Sequence, residues 1–145
     1  MTLLDAYALV AFVAEEPAAN DVEELLREGA CRVVAVNLAE AIDACRRVHA
    51  MPGSDIRRAL DPLTLSNTLA VVASDEREAW SAADLRARYY HKKDCRVSIA
   101  DCFLLAHSLG EDDALATADP DLAHVARAEG AQVIALPDSD GRTPS

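Results

Sequence analysis

Short apolar runs along this chain alternate with longer stretches in which apolar positions recur every three or four residues. Residues 2–4, 32–36, 68–72, 114–117 and 132–136 read as five short strands. Between them, residues 6–14, 18–28, 38–50, 55–61, 75–90, 98–109 and 121–129 read as seven helices. Val22, Leu25 and Leu26 recur at i, i+3 and i+4, the apolar stripe of an amphipathic helix. Gly29, Gly110 and Gly130 follow helical runs and are expected as C-terminal caps. Pro52-Gly53 signals a turn.

Apolar strands separated by helices predict an α/β fold with a parallel sheet covered on both faces. In open sheets of this kind the functional crevice lies beyond the carboxyl ends of the strands. A chain of 145 residues is expected to form one domain, spanning 1–136, with no internal repeat. The remaining segment 137–145 has a polar, Pro- and Ser-containing composition and is expected to be a disordered tail.

Composition narrows the function classes. The N-terminal apolar run lacks a basic start, carries Asp5 within it and is too short to span a bilayer, so a soluble cytoplasmic protein is expected. The four cysteines, at 31, 45, 95 and 102, show no metal-binding spacing and are expected as reduced core thiols. A net charge of −11 disfavours general electrostatic binding of nucleic acid. The positive charge is nevertheless clustered: Arg86, Arg88, Lys92, Lys93 and Arg96 fall within one short segment beside Tyr89, Tyr90 and His91. That segment is either a solvated helix end or a local phosphate-binding surface.

Four carboxylates carry the candidate chemistry. Asp5 (in LLDAYAL), Glu40 (in VNLAEAI), Asp101 (in SIADCFLLAHS) and Asp119 (in LATADPDLA) each lie at a strand-to-helix or loop-to-helix junction. Each also has an ordinary explanation as a helix cap. Asp5 fits an N-cap, Asn37/Glu40 and Ser98/Asp101 fit the spacing of capping boxes, and Asp119-Pro120 fits an N-cap followed by proline. Capping alone does not call for four acids, because Ser, Thr or Asn serve equally well. Gathered at one sheet edge, the acids repel one another unless a cation neutralises them, and an all-oxygen donor set suits Mg²⁺ or Mn²⁺. Asp5, Glu40 and Asp119 follow the expected ends of strands one, two and four. Asp101 joins them only if its helix directs its N-terminus into the same crevice. Asp121 is an alternative to Asp119 or an outlying acid of the first helical turn.

Other chemistries lack an anchor. His49, His91, His107 and His124 form no paired motif, and His107 is expected to be a packed or helix-end histidine. GxSxG, GxxxxGK[ST] and GxGxxG are absent. A phosphoacceptor receiver requires a lysine near the last strand, whereas the only lysines are Lys92 and Lys93.

The segments LLDAYALVAFVAEEP, VNLAEAIDAC, SIADCFLLAHSLG and ALATADPDLAHVA, in that order, resemble the PIN-domain ribonucleases, specifically the VapC-like toxins of toxin–antitoxin pairs. The resemblance covers roughly residues 2–136. It implies a three-layer α/β/α sandwich around a parallel sheet with a central first strand. It implies an endoribonuclease dependent on one or two Mg²⁺ or Mn²⁺ ions, in which a metal-activated water attacks the RNA phosphodiester. The family's acidic positions fall on Asp5, Glu40, Asp101 and Asp119, and Thr117 matches a position that orients a water or a ligand. A cognate antitoxin protein, a homodimer and an RNA substrate such as transfer RNA are further implications. The alternative is a PIN-like fold without catalysis that serves as a binding module for protein or RNA.

Overall fold

The computed structural model describes residues 1–145. The elements are β1 (Thr2–Leu4), α1 (Ala6–Ala14), α2 (Ala19–Glu28), β2 (Cys31–Val34), α3 (Ala35–Arg47), α4 (Gly53–Leu65), β3 (Leu69–Val72), α5 (Glu76–Tyr89), α6 (Ile99–Glu111), β4 (Ala114–Thr117), α7 (Pro120–Ala128) and β5 (Val133–Ala135). The five strands form one sheet in the order β3-β2-β1-β4-β5, and every pair is parallel. The first strand is therefore central, as expected.

The two-residue period of the strands builds the three layers. Leu4, Ala116, Cys31 and Val33 face a core made with Ala8, Leu9 and Ala11 of α1, Val22 and Leu26 of α2, Ala41 and Cys45 of α3, and Ile56 and Leu60 of α4. Leu3, Leu115 and Val34 face a second core made with Ala82 and Leu85 of α5, Cys102, Leu104 and Leu105 of α6, and Leu122, Val125 and Ala126 of α7. Leu3 and Leu4 are completely buried on opposite faces of the central strand. Burial of a leucine contributes about 1.5–3 kcal/mol, so this short strand anchors both cores.

Chain direction explains how α6 reaches the crevice. Glu111 ends α6 only three residues before β4 begins, at the amino-terminal edge of the sheet. The 13-residue helix is roughly 20 Å long, so its other end, carrying Asp101, returns to the carboxyl edge.

Several boundaries differ from the sequence expectation. The third helix starts at Ala35 rather than 38, so Asn37 lies inside its first turn and is not an N-cap. The helix starts directly off β2, with Val34 as an extended N-cap that offers no side chain. The fourth helix continues through Pro62 to Leu65 instead of stopping at 61. Gly110 lies within α6, and the left-handed residue that ends the helix is Asp112 (φ 56°). Aspartate is among the few residues that tolerate this region. Gly29 (φ 89°) and Gly130 (φ 85°) do take positive φ just after α2 and α7.

Of the cysteines, 31, 45 and 102 are buried and Cys95 is partly so, all as free thiols. His107 is packed: its Nδ1 lies 2.6 Å from Glu78 Oε1 between α5 and α6. In the segment after Leu136, the Asp138 carboxylate accepts hydrogen bonds from the backbone N–H groups of Asp140 and Arg142 (both 2.9 Å). Pro144 is buried, and the Arg127 guanidinium donates to the carbonyl of Ser145. No helix is long and apolar enough to cross a membrane.

Candidate active site

Asp5, Glu40, Asp101 and Asp119 line a single cleft of about 670 Å³ at the carboxyl edge of the sheet. β1 and β4 are neighbours, and each ends in one of the acids: Asp5 follows Leu4, and Asp119 follows Thr117 by two residues. α3 supplies Glu40 from its second turn, and α6 supplies Asp101 from its first.

Three of the acids are both helix caps and cleft residues. Asp5 Oδ1 accepts the Ala8 N–H at 2.7 Å at the start of α1. Asp101 Oδ2 accepts the Ser98 N–H at 2.9 Å in a complete capping box, with Ser98 Oγ accepting the Asp101 N–H at 3.0 Å. Asp119 Oδ1 accepts the N–H groups of Asp121 (2.8 Å) and Leu122 (3.3 Å) at the start of α7. Each cap holds one carboxylate oxygen by backbone geometry, which fixes the orientation of the other. Glu40, the exposed member, is held differently: Asn37 Nδ2 donates to its Oε2 at 3.3 Å.

Thr117 is completely buried and sits between two of the acids. Its hydroxyl accepts the Asp119 N–H at 3.0 Å, and the side chain also lies against Asp5, where it favours the charged carboxylate. Asp121 turns elsewhere: its Oδ2 accepts the Arg96 N–H at 2.9 Å, and it is not part of the cleft lining.

The electrostatics are those of an uncompensated anionic centre. None of the four acids is in an ion pair, although Arg47, His49 and Arg96 line the same cleft. Burial is the largest influence on Asp5 and pushes its pKa up to about 7. The Thr117 and Ala8 hydrogen bonds work against that rise, and the charges of Asp101 and Asp119 add to it. Burial also raises Asp101, against its bonds to Ser98 and with repulsion from Asp119 and Asp121. Glu40 is raised by partial desolvation of its carboxylate and then by Asp101, with the Asn37 bond opposing.

Such a donor set, all hard oxygen and short of positive charge, fits a divalent cation of the Mg²⁺ class. No three acidic, histidine or cysteine side chains are placed to close directly on one ion. One or two carboxylates with water completing the shell is the form that Mg²⁺ sites commonly take.

Around the four acids stand residues whose part in the site their sequence did not show. Asn37 is wholly buried, and its Nδ2 also lies 3.4 Å from the Ala100 carbonyl, tying α3 to the start of α6 beside Glu40. Its signal was the i, i+3 spacing to Glu40, which suits a helix-surface pair as well as a capping box. Tyr7, Glu16, His49 and Ser139 form the cleft's far wall, with His49 Nε2 at 3.6 Å from Glu16 Oε1. Nothing in the local sequence pattern distinguishes them from ordinary surface residues. Of the basic segment 86–96, only Arg96 reaches the cleft.

The profile of the PIN domain family matches residues 2–128. Among solved structures, the chain is similar to VapBC2 from Rickettsia felis bound to a DNA fragment from its promoter. That match has 15% identity and a TM-score of 0.67, covering 92% of this chain and 96% of that one. It is similar to FitAcB from Neisseria gonorrhoeae, at 20% identity and a TM-score of 0.63, covering 92% of this chain and 96% of that one. A toxin–antitoxin complex from Klebsiella pneumoniae shows 16% identity and a TM-score of 0.59, covering 82% and 87%. No curated protein matches the sequence.

Proposed function

The chain belongs to the PIN domain family, and from that premise we propose that it is a divalent-metal-dependent endoribonuclease acting as the toxin of a toxin–antitoxin pair. The observation that carries the reading is the convergence of Asp5, Glu40, Asp101 and Asp119 on one cleft with no cationic side chain paired to any of them. Toxin–antitoxin complexes among the structural relatives support the cellular role.

Asp5, Glu40, Asp101 and Asp119 would hold one or two Mg²⁺ or Mn²⁺ ions, some of them through water. When bound, the metal lowers the pKa of the attacking water and offsets charge on the phosphoryl oxygens. The chain's own part is positional. Backbone caps fix the carboxylates of Asp5, Asp101 and Asp119, and Asn37 holds Glu40. Thr117 fixes the Asp119 backbone and favours ionised Asp5. Arg47 and Arg96, on the cleft lining, receive the phosphates that flank the scissile bond. No side-chain nucleophile is required.

The inhibitory partner is a cognate antitoxin with a basic segment suited to the anionic cleft, by charge complementarity. A homodimer is part of the same reading. The test is incubation of the purified, antitoxin-free protein with mixed cellular RNA in Mg²⁺, in Mn²⁺ and in EDTA. Metal-dependent fragments support the proposal. Intact RNA in both metals, with folded protein, rejects the nuclease in favour of a binding module.

A further inference from the structure

The aromatic surface of this chain is small and concentrated. Trp80, its only tryptophan, is 68% exposed on α5, and Tyr90 at the end of that helix is 45% exposed. A contiguous exposed apolar patch marks a surface that meets another molecule, which a single exposed side chain does not. Trp80, Ala83, Ala87 and Tyr90 lie at i, i+3, i+7 and i+10, so they share one helix face. Ala83 and Ala87 are exposed and small, which leaves a flat strip between the two aromatic rings. Along the helix the rings are roughly 15 Å apart.

The strip leads to the acid cleft. Ala83, Ala87, Tyr90 and Arg86 border a shallow depression that Ile99 closes on the α6 side. Ser98, next to Ile99, already belongs to the cleft lining, as does Arg96. The Arg86 guanidinium sits 4.2 Å from the centroid of the Tyr90 ring. A stacked guanidinium–aromatic pair offers a cationic plane on which a base can stack.

Charge selects the occupant. The chain as a whole carries −11, yet from Trp80 to Val97 it has Arg86, Arg88, Lys92, Lys93 and Arg96 against only Asp84 and Asp94. Arg88 is paired with Glu129, while Lys92 and Lys93 form no ion pair and stand on the exposed turn between the His91–Cys95 bridge residues. Exposed aromatics with basic residues beside them form the surface that binds unpaired nucleic acid, bases on the rings and phosphates on the cations.

We propose that the α5 face from Trp80 to Tyr90, with Arg86 and the turn at Lys92 and Lys93, is a stacking platform for single-stranded RNA that leads into the acid cleft. This rests on the nuclease reading and adds to it the surface that holds several unpaired nucleotides to one side of the scissile bond. A duplex cannot present its bases to the strip.

Trp80 is itself the probe. Its emission is followed while the intact protein, in EDTA so that no RNA is cut, is titrated with a ten-nucleotide single-stranded RNA and with the same sequence as a duplex. Saturable quenching is expected with the single strand and at least about tenfold weaker binding with the duplex. Tyr90→Ala should weaken single-strand binding about 5- to 100-fold. Lys92→Gln with Lys93→Gln should flatten its salt dependence. Single-strand binding without any Trp80 response, or equal affinity for the duplex, overturns the platform. A Trp80 emission that shifts with protein concentration and ignores RNA also overturns it, by assigning the strip to a second copy of the chain. Metal-dependent cleavage alongside either negative result leaves the nuclease reading standing and removes only the platform.

Discussion

Ser98 and Asp101 exchange hydrogen bonds at the start of α6: the Ser98 N–H donates to Asp101 Oδ2 at 2.9 Å, and the Asp101 N–H donates to Ser98 Oγ at 3.0 Å. Capping a helix and lining the acid cleft are therefore not competing roles for this aspartate. The cap holds a half-buried carboxylate rigidly in the cleft, at the positive end of a 13-residue helix.

The two roles separate by mutation. Ser98→Ala removes half of the capping box and should cost about 1 kcal/mol. In a protein of this size that lowers Tm by roughly 3 °C. Asp101→Asn retains an oxygen for the cap but not the charge, so it should leave Tm within a few degrees and abolish RNA cleavage. Thermal melts beside a cleavage assay check both, and an Asp101→Asn protein that still cuts RNA removes Asp101 from the centre.

Asp5 gives a signed pH dependence. It ionises near 3.8 in the unfolded chain and at about 7 in the folded one, chiefly because it is buried. Between those values the folded state holds a proton that the unfolded state has lost, so stability falls as pH rises from about 4 to 7 and levels off above. Three units correspond to about 4 kcal/mol as an upper figure. Denaturant unfolding of the wild type and of Asp5→Asn should show a gap that grows in favour of the variant across that window. A constant gap would mean that Asp5 does not titrate there.

A cation held by these acids stabilises the fold. At one hundred times its dissociation constant the gain is about 2.7 kcal/mol. At pH 8, where Asp5 is ionised, Mn²⁺ should raise Tm of the wild type and do much less for Asp5→Asn. Equal shifts in both proteins would place the ion elsewhere.

Thr117 is predicted to act through its neighbours. Thr117→Val keeps the buried shape but removes the acceptor for the Asp119 N–H and the hydroxyl that favours charged Asp5. Its cost should be about 1–3 kcal/mol. Cleavage should fall with a pH profile displaced upward, and Thr117→Ser should recover both. A lower rate with an unmoved profile would limit Thr117 to packing.

The Glu78–His107 pair provides a control outside the cleft. Both side chains are 8% exposed, and Glu78 Oε2 and His107 Nε2 have no further partner. Glu78→Leu leaves His107 without its partner between α5 and α6, at a cost of about 1–3 kcal/mol in urea unfolding. Cleavage per folded molecule should not change.

The architecture was readable because short apolar runs such as Thr2–Leu4 alternate with longer helical stretches, the pattern of a parallel sheet between two helical layers. Asp5 and Asp119 were readable for the same reason, since each lies within two residues of the end of a strand and the sheet makes those strands neighbours. Polar residues inside helices were not. Asn37 looked like a cap because asparagine usually is one, and only the contact with the start of α6 shows why a buried amide stands in the first turn of α3. The helix expected over 55–61 carries on through Pro62 to Leu65. The far wall of the cleft, with Tyr7 and Ser139, depends on chain segments more than 130 residues apart and leaves no local pattern.

The most direct test of the central claim, that four carboxylates form one catalytic centre, is the single-turnover cleavage rate of a defined RNA in Mn²⁺. It is measured for the wild type and for Asp5→Asn, Glu40→Gln, Asp101→Asn and Asp119→Asn, each verified as folded. Every variant should lose at least about 100-fold, in keeping with the several kcal/mol that metal-assisted charge stabilisation supplies. A folded Asp5→Asn or Asp101→Asn protein that cleaves at the wild-type rate would contradict the claim.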